Sequence, residues 1–323
     1  MSSKKDKSNN LDKYFMSIAM NLAKERIGLT GLNPSVGCVI VKNNKILSFG
    51  QTGFGGRPHA ETIAINKCKK NELQGTSIYI TMEPCTHYGK TPPCTNQIVK
   101  SKIKRVIYSS NDIDIRTSNK AYSFLISKKI NVKKGLLKSE SKKFYTNYFK
   151  HKKNKKPYVA AKIACSRDFF TSSKNKFITN HHSRNVSHIL RYNFDSILIS
   201  SKTANEDNSK LSCRINGLEN FSPKRLIIDK NLKINKKSAV ITDNKKNDTI
   251  IFHSTKNKKK LRYFKLRGIK LSYTDLDSNN NIDLKKVFLK AYSFGIGSII
   301  IEGGKALTKS ILKDKLINEF YLF

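Results

Sequence analysis

The chain has 323 residues, a length that suggests two domains, and a formal net charge of +40 from 63 Lys+Arg against 23 Asp+Glu. A hydrophobic content of 38% is low yet can support packed cores, and no stretch approaches the ~20 apolar residues of a membrane span. The charge raises the question of a nucleic-acid partner, but lysine and asparagine are spread everywhere, without a single basic stripe or interleaved aromatics, so a nucleic-acid footprint is not expected.

In chain order, residues 1 to 10 read as a disordered, polar tail with no apolar leader segment. Leu11 to Gly28 carries Leu11, Phe15, Ile18 and Leu22 at helical spacing. Val36 to Val41 is a buried strand, and Lys45 to Gly50 returns as its hairpin partner. After a glycine-rich loop, His59 to Lys69 is a helix, Thr76 to Met82 a strand, and Cys94 to about Lys100 a helix. Lys104 to Ser109 is a strand, Asn119 to Lys129 a helix and Ile130 to Lys133 a short strand. This alternation predicts a layered α/β domain over 11–150. The basic run His151 to Lys156 is the expected linker, and a second domain spans 157–323. In that half we expect strands at Tyr158 to Cys165, Ser196 to Ser200, Arg225 to Ile228, Ala239 to Thr242, Thr249 to Phe252, Ser298 to Glu302 and Asn318 to Phe323. Helices are expected from Thr179 to Asn193, Ile282 to Phe294 and Lys305 to Leu312.

The chemistry concentrates in the first half. His59-Ala60-Glu61 opens a helix, Pro84-Cys85 ends a strand, and Cys94 opens another helix. One imidazole and two thiolates leave the fourth position of a tetrahedral zinc open for water, as catalytic sites require. Glu61, two residues from His59, suits a proton shuttle, and His-x-Glu followed by Pro-Cys is the zinc-deaminase pattern. The two cysteines are nine positions apart in place of the usual Cys-x-x-Cys. The other cysteines (Cys38, Cys68, Cys165 and Cys213) read as packing residues, and the set fits a reducing cytoplasm.

Three segments then carry a resemblance: Asn33-Pro34-Ser35-Val36-Gly37, Gly56-Arg57-Pro58-His59-Ala60-Glu61, and Glu83-Pro84-Cys85 running through Gly89-Lys90-Thr91-Pro92-Pro93-Cys94. Together they resemble the bifunctional deaminase–reductase family of riboflavin biosynthesis. The resemblance implies a cytidine-deaminase-like three-layer domain followed by a dihydrofolate-reductase-like α/β domain. The first would deaminate 2,5-diamino-6-(5-phosphoribosylamino)pyrimidin-4-one with zinc on His59, Cys85 and Cys94. Glu61 would move the protons, Asn33 would hold the pyrimidine, and Lys90 would meet the phosphate. His87 reads equally as a substrate contact or a loop residue, and Asp112 matches the start of a family segment whose continuation differs here.

The resemblance extends to the second half, where an NADPH-dependent reduction of the ribosyl side chain to ribityl is implied. Lys162, Asn175, Arg191, Leu211, Arg214 and Glu302 would contact substrate, with Arg191 and Arg214 on the phosphate. Ala164, Phe177, Thr203 and Asp207 would contact NADPH, and its phosphates would lie along Gly304, Lys305, Ala306, Leu307, Thr308, Lys309 and Ser310. A glycine turn opening a helix suits that last role. The second half also departs from the family: Phe169 replaces a glycine, Phe177 a tryptophan and Asn318 an aspartate, and the C-terminus reads as truncated. These departures predict a weaker reductase or, as an alternative, a degenerate scaffold. A nucleic-acid base deaminase is the other alternative. A homo-oligomer is expected.

Overall fold

A computed structural model of the chain describes residues 4–168, 170, 178–243 and 248–323. It divides into two compact units, Met1–Lys153 and Asn154–Phe323.

The first unit runs α1 (Lys4–Lys24), β1 (Gly37–Lys42), β2 (Lys45–Gln51), α2 (Ala60–Asn66), β3 (Ser77–Met82), α3 (Cys94–Lys100), β4 (Arg105–Ser110), α4 (Lys120–Ser127), β5 (Asn131–Lys134), α5 (Lys138–Phe144) and α6 (Thr146–Asn154). Its sheet has the order β2-β1-β3-β4-β5. Strand β1 is antiparallel to β2 and β3, while β3, β4 and β5 are parallel. Alternate residues point to opposite faces of a strand, and both faces are covered. Val39, Val41, Tyr79 and Ile107 pack on Phe15, Met16 and Ala19 of α1. Cys38, Ile40, Ile78, Ile80, Val106 and Tyr108 pack with Ala60 and Ala64 of α2, Ile98 of α3 and Leu125 of α4. This gives three layers. Asp12 pins α1 to the sheet, accepting from Tyr79 Oη at 2.8 Å and pairing with Arg105 at 3.2 Å and Lys133 at 3.0 Å.

Two expectations change here. Helix α1 begins at Lys4, so residues 4 to 10 continue a helix that packing has already nucleated, and Lys133 Nζ donates to Asn9 Oδ1 at 3.1 Å. The segment read as a linker is helical as far as Asn154, and His151 is buried. Tyr145 is the anchor for this C-terminal stretch. Its hydroxyl meets Thr81 Oγ1 at 2.6 Å and donates to the Ser35 carbonyl at 3.0 Å.

The second unit runs β6 (Tyr158–Ile163), α7 (His181–Tyr192), β7 (Ser196–Ser200), α8 (Ser201–Asp207), β8 (Lys224–Ile228), α9 (Ala239–Thr242), β9 (Thr249–His253), α10 (Lys258–Lys265), β10 (Lys270–Tyr273), α11 (Leu284–Ser293), β11 (Ser298–Ile301), α12 (Lys305–Lys313) and β12 (Glu319–Leu322). The order is β10-β9-β8-β7-β11-β6-β12, with every pairing parallel. Parallel sheets are buried on both faces, which is why these strands read as near-continuous apolar runs. Ile197, Ile199, Ile227, Ile251 and Ile300 serve one core, and Leu198, Leu226, Ile250, Phe252, Ile299 and Ile301 the other. The expected strand at Ala239 to Thr242 is instead the short helix α9, whose first N–H donates to Asn208 Oδ1 at 2.9 Å. The α7 cap is Asn180, one residue beyond the expected Thr179, and its side chain accepts from Ser183 N–H at 2.9 Å. Among the described residues no helix is long and apolar enough to cross a membrane.

Candidate active sites

In the first unit, three loop-to-element junctions converge. His59 is the N-cap of α2, Cys85 follows β3, and Cys94 is the first residue of α3. His59 Nδ1 lies 3.3 Å from Cys94 Sγ and 3.6 Å from Cys85 Sγ, and the three ligand atoms all lie within 4.8 Å of one another. Zn–N and Zn–S bond lengths set nitrogen and sulfur roughly 3.6 Å apart in a tetrahedral site. The donor set and its spacing therefore fit zinc. The Cys94 thiol donating to Cys85, together with the His59 ring, holds the Cys85 thiol down at about 4. The same sulfur–sulfur hydrogen bond and burial push Cys94 up. The Cys94 backbone N–H also donates to Cys85 Sγ at 3.3 Å, as a helix N-terminus does to an anion.

Glu61 sits in the first turn of α2, 4% exposed. Burial raises its pKa, against the opposing pull of His59. A cavity of about 400 Å³ opens over these groups. Asn33, Lys90 and His87 line it, so the expected substrate residues share one cavity with His59, Cys85 and Glu61, Cys94 itself being buried. Gly56 makes room for Asn33: at φ +90° it lies so close that a Cβ would fall 2.1 Å from Asn33 Nδ2. His87 is both a pocket wall and a loop tie, its Nδ1 lying 3.0 Å from Thr117 Oγ1.

Several lining residues had no role assigned from the motifs. Buried Glu83 accepts the N–H groups of Asp112, Asn119 and Ala121 at 3.1–3.2 Å, fixing the loop after β4. Asp112 in that loop accepts from Tyr148 Oη at 2.8 Å. Arg57 Nη1 donates to Thr91 Oγ1 at 2.7 Å, tying the turn before His59 to the loop between the cysteines.

In the second unit, the carboxyl ends of β7, β11 and β6 are neighbours, the edge where open α/β sheets bind ligands. Glu302 follows β11 and Arg191 lies in the last turn of α7. Arg191 Nε and Nη2 donate to Glu302 at 2.7 and 2.9 Å, and Nη1 donates to the Ser212 carbonyl at 3.1 Å. Arg191 is thus committed to Glu302, whereas Arg214 is exposed, with Nε 3.4 Å from His188 Nε2. Lys162 on β6 is half-buried and its charge, with that of Arg191, opposes the burial that would raise Glu302. Leu211 is buried in the core, so only its backbone can face a ligand.

Gly304 caps α12, and a Cβ there would lie 3.7 Å from Thr203 Oγ1 across otherwise open space. Among the described residues the first-turn N–H groups, up to Leu307, meet no protein acceptor, which fits the phosphates of a nucleotide. Thr308 N–H already donates to the Gly304 carbonyl at 3.2 Å, and its side chain is buried. Leu307 packs against the core, while Lys309 and Ser310 lie beyond the first turn. Ala306 is exposed in that turn, Ala164 is half-buried after β6, and Asp207 ends α8. Asn175, Phe177 and Phe169 lie outside the described residues.

Two family descriptions match this chain. The cytidine and deoxycytidylate deaminase zinc-binding region matches residues 9–110, and the RibD C-terminal domain matches 157–323, just over half of the chain. The chain belongs to the RibD family. The riboflavin biosynthesis protein RibD of Aquifex aeolicus is 32% identical over 97% of this chain and 86% of its own length. A RibD structure from Acinetobacter baumannii superposes with a TM-score of 0.83 at 26% identity, covering 97% of this chain and 87% of its own. A Thermotoga maritima structure gives 0.81 at 28% identity, covering 95% and 85%, and is described as a diaminohydroxyphosphoribosylaminopyrimidine deaminase/5-amino-6-(5-phosphoribosylamino)uracil reductase.

RibD proteins join a zinc-binding deaminase domain to a reductase domain in riboflavin biosynthesis, and this chain carries both. The second half matches the RibD C-terminal domain along its whole length. Zinc removal has a direct readout. A chelator should expose two more titratable thiols, Cys85 and Cys94, and lower the melting temperature of the first unit. Equal thiol counts with and without chelator would contradict the ligand set.

Proposed function

We propose that the first unit deaminates the phosphoribosylated diaminopyrimidine and the second reduces the ribosyl side chain of the product with NADPH. The observation that carries this reading is the convergence of His59, Cys85 and Cys94 beside buried Glu61, with His59, Cys85 and Glu61 on the wall of one cavity, in a chain whose other half matches the RibD C-terminal domain. When bound, zinc supplies a water acidified to a pKa of roughly 7. Glu61 takes one proton from the attacking water and delivers it to a ring nitrogen; it then takes the remaining proton from the newly added hydroxyl and passes it to the amine, so that ammonia leaves as the carbonyl forms. A carboxyl raised by burial is suited to both directions of transfer. Asn33 orients the ring by its amide, and Lys90 meets the phosphate. A pocket of this size, walled on one side by the loop between the cysteines, suits a small molecule better than a nucleic-acid strand.

In the second unit NADPH supplies the hydride. Gly304 and the first turn of α12 hold its phosphates, and Thr203 flanks them. Arg191 keeps Glu302 ionised and in place, leaving Arg214 as the guanidinium for the substrate's phosphate. We place the protein in the cytoplasm, where its six unpaired cysteines would stay reduced.

The test is a coupled assay: ammonia release from the diaminopyrimidine, followed by NADPH oxidation. Ammonia release that persists in stringently metal-free protein would overturn the zinc reading. Gly304→Asp sets a carboxylate against the cofactor phosphates and should raise the KM for NADPH at least about tenfold. Deamination serves as the internal control, and an unaltered KM would remove α12 from the cofactor site.

A further inference from the structure

The substrate's phosphate needs a cationic seat at the mouth of the deaminase pocket; of the two motif cations on the cavity wall, Arg57 is drawn to Thr91 and His59, which leaves Lys90. We propose that Arg116 and Lys152, positioned by Asp114, complete that seat and set the preference for a phosphorylated substrate; this rests on the deaminase reading above. Asp114 is 9% exposed, and Arg116 Nε and Nη2 donate to its two oxygens at 2.9 and 2.6 Å. Lys152 Nζ, from α6, lies 3.0 Å from the same carboxylate. Asp114 therefore faces two cations, while Asp112, the second carboxylate within electrostatic reach of both, accepts from Tyr148 Oη at 2.8 Å. Arg116 Nη1 and the other ammonium hydrogens of Lys152 have no protein acceptor among the described residues, so they remain free for an anion.

All three residues line the cavity that also holds His59, Glu61 and Lys90. The hydrogen bond from Thr86 Oγ1 to the Arg116 carbonyl, 3.3 Å, and the His87–Thr117 contact tie the loop bearing Lys90 to the loop bearing Arg116. The two cationic groups thus rim one opening. Arg116 is 57% exposed and Lys152 29%, whereas Glu61 is buried, so the cations stand on the solvent side of the chemistry. The volume of about 400 Å³ takes a pyrimidine with its pentose and leaves a phosphate at that rim. A planar guanidinium beside a compact ammonium is the pairing that phosphate oxygens favour. Asp114 acts as the template that keeps both side chains at the rim when no phosphate is bound.

The experiment compares kcat/KM for the phosphoribosylated diaminopyrimidine with that for its dephosphorylated counterpart. In Arg116→Ala/Lys152→Ala the ratio should fall at least about tenfold, chiefly through KM for the phosphorylated compound. Lys152→Arg should restore most of the loss that Lys152→Ala causes alone. Asp114→Asn should lower the ratio by a smaller factor, with circular dichroism confirming an intact fold. A double variant with the parent's ratio, or with equal losses on both compounds, overturns the subsite while leaving the deaminase reading standing. A parent chain that deaminates neither compound sinks that reading and the subsite with it.

Discussion

Glu61→Gln should lower kcat for deamination by about 10²–10⁴-fold, the range assigned to a positioned general acid–base. The substitution keeps the shape of a side chain that is almost fully buried but removes its capacity to carry a proton. His59, Cys85 and Cys94 are untouched, so metal content measured by mass spectrometry of the purified protein should equal that of the parent. NADPH oxidation with already deaminated substrate should proceed, because Glu61 belongs to the first unit. Both halves of the outcome matter. A variant that loses metal would make Glu61 a structural support, and one that keeps full deamination would assign the proton transfers elsewhere.

The largest stability effect is expected at Arg191. Its guanidinium and the Glu302 carboxylate are 11% and 12% exposed and meet through two hydrogen bonds. Arg191→Leu strands a buried carboxylate, and breaking such a pair costs about 3–5 kcal/mol. The unfolding transition of the second unit should move to correspondingly lower denaturant. Arg191→Leu/Glu302→Leu removes both charges and should recover most of that stability while abolishing NADPH oxidation. Recovery of stability without activity would show that the pair is kept for substrate, not for folding.

The same pair fixes a pH dependence. Burial would raise the Glu302 pKa, but Arg191, aided by Lys162, more than offsets it and leaves the group depressed. A depressed carboxylate contributes stability that is fully present above its unfolded pKa of roughly 4.3 and is lost as pH falls through the lower folded value. The second unit should therefore lose stability on acidification below about pH 4. Arg191→Leu/Glu302→Leu should flatten that limb in a denaturation series.

The convergence of His59, Cys85 and Cys94 was legible because each lies inside a short motif at a strand end or helix start, where local pattern dictates position. The sheets were legible for a similar reason: two-sided burial makes every central strand an apolar run. What was hidden depends on contacts between distant segments. The aromatics Tyr145 and Tyr148 stand at helical spacing, yet the lysines around them mask the buried face of α5 and α6. The run Ala239 to Thr242 has strand-like composition, but at four residues pattern cannot separate strand from helix, and Asn208 decides it by capping the first N–H. Asp114 and Lys152 carry no signal at all in the sequence, since their pairing spans 38 positions of chain and exists only once α6 has docked. In the second unit the sequence could not reveal that Glu302 engages Nε and Nη2 of Arg191, because the two lie 111 positions apart.

The helix that ends at the boundary between the two units has a practical meaning for dissecting them. Tyr148 and Lys152 of α6 line the deaminase cavity, so the stretch that looks like spare connector is part of the first catalytic wall. A fragment cut before His151 would retain the metal triad and Glu61 and yet lose a cation from its opening. Separate expression of the deaminase half should therefore end no earlier than Lys153, and a shorter piece would bind its metal while reporting a misleadingly poor affinity for substrate.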